Sequence, residues 1–146
     1  MAMTTTPSVI SKCLDFYSEL NSEKIALLPL IYHPQIELVD PLGQHTGIAA
    51  VEAYFRSLLT RTAHCRFSID TYFSQDQQTC LNWIMSYSHP KLEKGRTLEL
   101  EGCSILRVQD DKIIWQRDYY DMGAMLYEHI PLLGPVIKQL KKRVNQ

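Results

Sequence analysis

The sequence predicts an α+β fold, with helices packed on one face of a mostly antiparallel sheet. Three observations predict it. Apolar residues recur at three- and four-residue intervals through about the first sixty positions. Beyond them the period shortens to two, in four runs separated by polar breaks. Helices followed by strands, rather than alternating with them, give layers of the α+β kind.

The elements follow in order. Val9, Ile10, Cys13, Leu14, Tyr17 and Leu20 mark an amphipathic first helix of about 13 residues. Asn21-Ser22 ends it, and Ser22 caps a short second helix carrying Ile25, Leu27 and Leu28, which Pro29 kinks or stops. IELVDP reads as a short strand, closed by Asp40-Pro41 and the turn residues Gly43 and Gly47. Thr46 is placed to cap a third helix with Ile48, Val51, Phe55, Leu58 and Leu59 on one face. CRFSIDTYF, TCLNWIMSYS, TLELEGCSILRV and KIIWQRDYY then form a four-stranded meander. Residues 75–78, the KLEKG stretch and residues 109–112 supply its turns.

In the tail, Leu126, Ile130, Leu133, Ile137, Leu140 and Val144 make an apolar stripe. Pro131 and Gly134-Pro135 should divide or kink it. The expectation is a helix that closes the core and turns Lys138, Lys141, Lys142 and Arg143 to solvent. An interfacial membrane or partner helix is the alternative.

The 146 residues, 45% hydrophobic and 21% charged, suit one globular domain able to bury its own core. A formal net charge of −1 does not favour nucleic acid as a partner. Cys13, Cys65, Cys80 and Cys103 form no CxxC pair, and MAMTTTPSVI lacks a basic region followed by an apolar run. Reduced thiols in a cytoplasmic protein are therefore expected. No apolar run is long enough to predict a membrane span. The five histidines lack helical i, i+4 pairing, so no metal is expected. No Gly-rich phosphate loop appears, and no cofactor is expected either.

Two polar clusters stand out. Asp40 sits at a strand end, where it either accepts backbone N–H bonds in a turn or serves a site. In IIWQRDYYD, strand alternation puts Ile114, Gln116, Asp118 and Tyr120 on one face. Trp115, Arg117, Tyr119 and Asp121 take the other. A carboxylate walled by aromatics has its charged form disfavoured, so Asp118 could carry a proton near neutral pH. Arg117 points away from it, and Asp121 is placed to cap the tail helix. Trp83, Met85 and Tyr87, with Glu101 and Cys103 as further candidates, could face the same cavity. Cys103 is not expected to be a nucleophile, because no histidine lies near it in sequence.

The element order, with YHPQIELVDPLGQHTGIAAVEAYF and DKIIWQRDYYD, resembles the nuclear transport factor 2-like superfamily over roughly residues 8–125. That group includes SnoaL-like polyketide cyclases, ketosteroid isomerases and limonene epoxide hydrolases. The resemblance implies a cone-shaped, cystatin-like fold on a curved sheet: one SnoaL-like domain over residues 1–146, with a core at 8–125 and a helical tail at 122–146. Against ketosteroid isomerase, the general base falls on Asp40 and the two oxyanion donors on Phe16 and Cys103. Against limonene epoxide hydrolase, one catalytic aspartate falls on Asp118. The second aspartate and the arginine fall on Tyr87 and Met85, and the water-orienting residues on Glu37 and Val39. Most companion groups of both reactions are thus replaced.

Two functions follow. In the first, Asp40 and Asp118 act as acid and base on a small hydrophobic, cyclic molecule, without a cofactor, in an isomerase, cyclase or hydrolase reaction. Phe16, Tyr32, Phe55, Trp83, Met85, Tyr87, Cys103 and Tyr120 would line the pocket. In the second, the same domain binds a ligand or assembles without catalysis. Leu98, Leu100, Leu106, Trp115 and Tyr119 are candidates for an apolar outer sheet face, and the resemblance implies dimers, so a homodimer is expected.

Overall fold

A computed structural model describes residues 5–146; residues 1–4 lie outside the described residues. The first helix, α1 (Val9–Ser18), buries Val9, Ile10, Cys13, Phe16 and Tyr17, as its spacing predicts. Its N-terminus is held from a distance. The Asp111 carboxylate accepts from Ser8 Oγ at 2.5 Å and from the Val9 N–H at 3.1 Å. Those contacts hold Asp111 below the usual carboxylate range.

A 3-10 turn, Ser22–Leu27, and a one-turn helix, α2 (Leu28–Ile31), follow. The cap is Asn21 rather than Ser22: its side chain accepts from the Lys24 N–H at 3.0 Å. Pro29 neither kinks nor stops α2 but stands in its first turn, where a missing N–H costs nothing.

Strand β1 (Tyr32–Asp40) is longer than IELVDP suggests, and it turns back through an unforeseen strand, β2 (Gly43–Thr46). Gly47, at φ +87°, begins α3 (Ile48–Arg61) in place of Thr46, which belongs to β2. The meander comprises β3 (His64–Gln75), β4 (Gln78–Ser88), β5 (Leu98–Gln109) and β6 (Lys112–Tyr120). One curved six-stranded sheet results, in the order β2-β1-β6-β5-β4-β3. All pairings are antiparallel except β1 with β6. The expected meander is therefore extended by a hairpin laid parallel against its last strand. Pro34, which has no N–H to give, lies where the β1–β6 register shifts.

Helices α1, α2 and α3 cover one sheet face. Between them and the sheet lie Phe16, Tyr32, Ile36, Leu38, Phe55 and Leu106, all buried. Three expectations about strand faces are corrected here. Leu98, Leu100 and Leu106 are buried in this core, so they are not part of the outer face. Even positions of β5 point inward, and Cys103 therefore stands on the outer face, opposite Asn82 and Tyr119. In β6 a register shift places Ile113 rather than Ile114 in the core, after which Gln116, Asp118 and Tyr120 take the inner face as expected.

The tail departs furthest from expectation. Asp121 caps α4 (Met122–Met125), accepting from the Gly123 and Ala124 N–H groups. A short 3-10 turn, Tyr127–His129, leads to α5 (Leu133–Val144). The break falls at Leu132, at φ +72°, so Gly134-Pro135 opens the helix instead of interrupting it. The helix does not close the core. Only Gly134 of its residues is buried, against the Glu128 backbone.

Candidate functional site

Asp118 lies on the inner face of β6, directly opposite Ser104 of β5 and two residues from Gln116. Both neighbours donate to the same oxygen: Ser104 Oγ at 2.6 Å and Gln116 Nε2 at 2.9 Å to Oδ1. The Ser104 hydroxyl in turn accepts from Trp83 Nε1 at 2.8 Å. The Oδ2 atom takes none of these bonds. Asp118 keeps part of its surface open, yet its carboxyl group is hemmed in by side chains. That desolvation pushes its pKa up to about 6, against the two hydrogen bonds, with a smaller push from Asp40.

Gln116, only 2% exposed, ties Asp118 to two buried tyrosines. Its amide is oriented by Asp118, which accepts from the nitrogen. Its oxygen then accepts the Tyr32 hydroxyl at 2.7 Å. The single Tyr32 proton is thereby committed, so the 2.6 Å contact between the phenols has Tyr17 donating to Tyr32. Gln116 Nε2 donates back to Tyr17 at 3.2 Å, closing a three-membered ring. Burial, with Asp118 nearby, holds both phenols well above their usual pKa, so they remain protonated donors.

A second polar group lies on the β1–β2 hairpin. Asp40 realises the turn geometry: Oδ1 accepts from the Leu42 and Gly43 N–H groups at 2.8 and 3.0 Å. Its Oδ2, however, is buried without a partner, and so is Nε2 of His45. Asp40 opposes Gly43 and His45 opposes Leu38, so their side chains share the inner face. The His45 ring lies 4.7 Å from that of Tyr54. Burial is the main reason the Tyr54 and Tyr120 phenols are raised, and the charges of Asp40 and Asp118 add to it at both. The two carboxylates and two tyrosines therefore share one electrostatic environment. A buried polar atom left unpaired costs about 1–3 kcal/mol, which makes Asp40 Oδ2 and His45 Nε2 natural contacts for a ligand or water.

The enclosed space is small. A cavity of about 20 Å³ is lined by Tyr17, Phe67, Trp83, Ser104, Gln116 and Asp118 among others, room for roughly one water. Phe16, Tyr32 and Phe55 fill the volume behind it, with Phe16 edge-on to Phe55 at 5.2 Å. Of the residues expected around a pocket, Trp83 lines this cavity and Tyr120 lies 6.1 Å from the Trp83 ring. Met85 and Tyr87 are buried farther along β4, where the Tyr87 hydroxyl donates to the Met125 carbonyl and fastens α4. Cys103 is excluded by its face. Its sulfur lies 3.3 Å from that of Cys80, and burial with that neighbour pushes its thiol up to about 11. Among the described residues no cluster of His, Cys, Asp or Glu could hold a metal.

Sequence reading missed Tyr17, His45, Tyr54 and Ser104 as site residues. For Ser104 the signal was present. Leu98, Leu100, Leu106 and Val108 share its parity in β5, and that apolar set is the one a core requires. For His45 it was absent, because β2 is too short and polar to announce itself.

The pattern of the SnoaL-like domain family matches residues 14–116. Among solved structures, a hypothetical protein with a ketosteroid isomerase-like fold from Catenulispora acidiphila, in complex with trimethylamine, is similar at a TM-score of 0.72 and 14% identity, covering 84% of this chain and 92% of that one. An NTF2-like protein of unknown function from Burkholderia pseudomallei is similar at 0.70 and 15% identity, covering 81% and 92%. TerC, co-crystallised with polyporic acid, is similar at 0.70 and 19% identity, covering 82% and 95%. These identities establish the fold alone. Among curated proteins none matches this chain.

Proposed function

Since the chain belongs to the SnoaL-like domain family, we propose that it acts on a small apolar molecule, with Asp118 as its general base and acid. The observation that carries this reading is one carboxylate oxygen holding two donors while the other is unengaged, on a group with a pKa of about 6. Such a group is mostly ionised at neutral pH and is reprotonated easily, as proton transfer beside a carbonyl requires. Oδ2 would remove the proton. The negative charge then developing on the substrate oxygen needs donors, and those of the Tyr17–Tyr32–Gln116 ring are already committed. The Tyr54 and Tyr120 hydroxyls are the donors left for it. Asp40 Oδ2 and His45 Nε2 would hold a polar substituent at the other end.

The companions of two known reactions are absent at the matching positions, where Phe16, Met85, Tyr87 and the outward Cys103 stand. This favours a proton transfer distinct from steroid isomerisation or epoxide opening. Similarity to TerC, co-crystallised with polyporic acid, supports a cyclic oxygenated ligand and makes that compound a practical probe. The reading is tested by deuterium exchange of the α-protons of apolar cyclic ketones. Exchange should rise with pH through about 6 and fall at least about 100-fold in Asp118→Asn.

A second reading, an accessory or assembly role without catalysis, is favoured by the cavity beside Asp118 holding only about 20 Å³. A rise in Tm with polyporic acid but no exchange would select binding alone. Neither effect would select an accessory role.

A further inference from the structure

We propose that α5 is a docking helix for an anionic lipid surface. Leu133, Val136, Leu140 and Val144 are all exposed, Ile137 is half-buried, and Leu132 just before the helix is 87% exposed. At about 100° per residue these helical positions fall within an arc of roughly 100°. The helix is fixed to the body along a different line. Gly134 packs against the Glu128 backbone, and Lys141 pairs with Glu128 at 3.2 Å and Asp121 at 3.4 Å. Gly134 and Lys141 lie roughly 100° round the helix from the middle of the stripe, so the apolar face is not the one held against the body.

Charge identifies the partner. Residues 130–146 carry Lys138, Lys141, Lys142 and Arg143 and no acidic residue, on a chain whose formal net charge is −1. Arg143 borders one edge of the stripe, Lys138 and Lys142 stand behind it, and Lys141 at the other edge is held by Glu128 and Asp121. Long cationic side chains in those places can reach phosphate while the stripe sinks among acyl chains. A second copy fits less well: two stripes pressed together would align their cationic borders with no acid on either helix to meet them. The helix is about 18 Å long and could only lie in an interface. Among the described residues no helix is long and apolar enough to cross a membrane.

Sedimentation of the full chain with vesicles tests this, comparing pure phosphatidylcholine with a mixture holding about 30% phosphatidylserine. The chain should sediment with the anionic vesicles and be released by salt. The triple variant Lys138→Gln/Lys142→Gln/Arg143→Gln should lose roughly 100-fold in partitioning, since each cation near such a surface is worth about fivefold. Leu140→Gln/Val144→Gln should weaken binding with Tm unchanged, because both residues are exposed. Failure to sediment with anionic vesicles at low salt would overturn the proposal, as would sedimentation unaffected by either variant. A dimer in light scattering that Leu140→Gln/Val144→Gln dissolves would overturn it too, by giving the stripe to a second copy. No arm depends on the interior site.

Discussion

Asp118 is the residue on which structure and chemistry converge, and its environment makes a stability prediction. Its folded pKa lies near 6, above the ordinary 3.8. The folded state therefore binds more protons than the unfolded one between those values. Stability falls as pH rises through that window, and above it the ionised group weighs against folding. Asparagine keeps an oxygen able to accept from Ser104 and Gln116 but carries no charge. Asp118→Asn should therefore gain on the parent by roughly 2 kcal/mol between about pH 4 and about pH 7.5 in urea melts. An unchanged difference would mean that the carboxyl is not desolvated. How legible the site was differs residue by residue. Asp118 and Tyr120 could be assigned to one face because strand alternation is local. The outward turn of Cys103 depended on the parity of β5, which only its apolar partners fix.

Among elements, β4 and β5 show how a strand is tailored to a site. Gly102 sits opposite Trp83, and a Cβ there would lie 2.1 Å from the indole ring. The glycine thus lets the ring lie flat over the β5 backbone, where its N–H reaches Ser104. Trp83 cannot retreat freely, since Phe67 packs against it at 5.2 Å and Tyr120 at 6.1 Å. Gly102→Ala should cost about 1–3 kcal/mol by overpacking, read by chemical denaturation. It should also change Trp83 fluorescence as the ring leaves Ser104. The long helices and the four meander strands were legible because their periods repeat several times. Hairpin β1–β2 was not, because four polar residues hold no period and are ordered by pairing with β1.

At the scale of the whole molecule, the sheet covers its helices on one side and leaves the other side open. Trp115, with Arg107 stacked on it at 4.3 Å, and Tyr119, with Arg117 at 5.0 Å, line that outer face beside Ile105 and Cys103. We expect two copies to meet there. Light scattering at micromolar concentration should give a dimer mass, reduced to a monomer by Tyr119→Glu, which adds a charge to the face without touching the core. A monomer for the unaltered chain would remove the dimer. The overturned outer-face assignment of Leu98, Leu100 and Leu106 leaves this surface smaller and more aromatic than the sequence suggested.

By itself the sequence determined the α+β class, the order of the main elements and the sharing of one face of the last strand by Gln116, Asp118 and Tyr120, because each rests on periodicity within a dozen or so residues. Only the tertiary structure decided the parallel joining of β1 to β6, the Tyr17–Tyr32–Gln116 ring and the exposure of the tail stripe. Those depend on which distant segments meet. Tyr32 and Gln116 are 84 positions apart, and an amphipathic period shows that a face must be covered without naming what covers it.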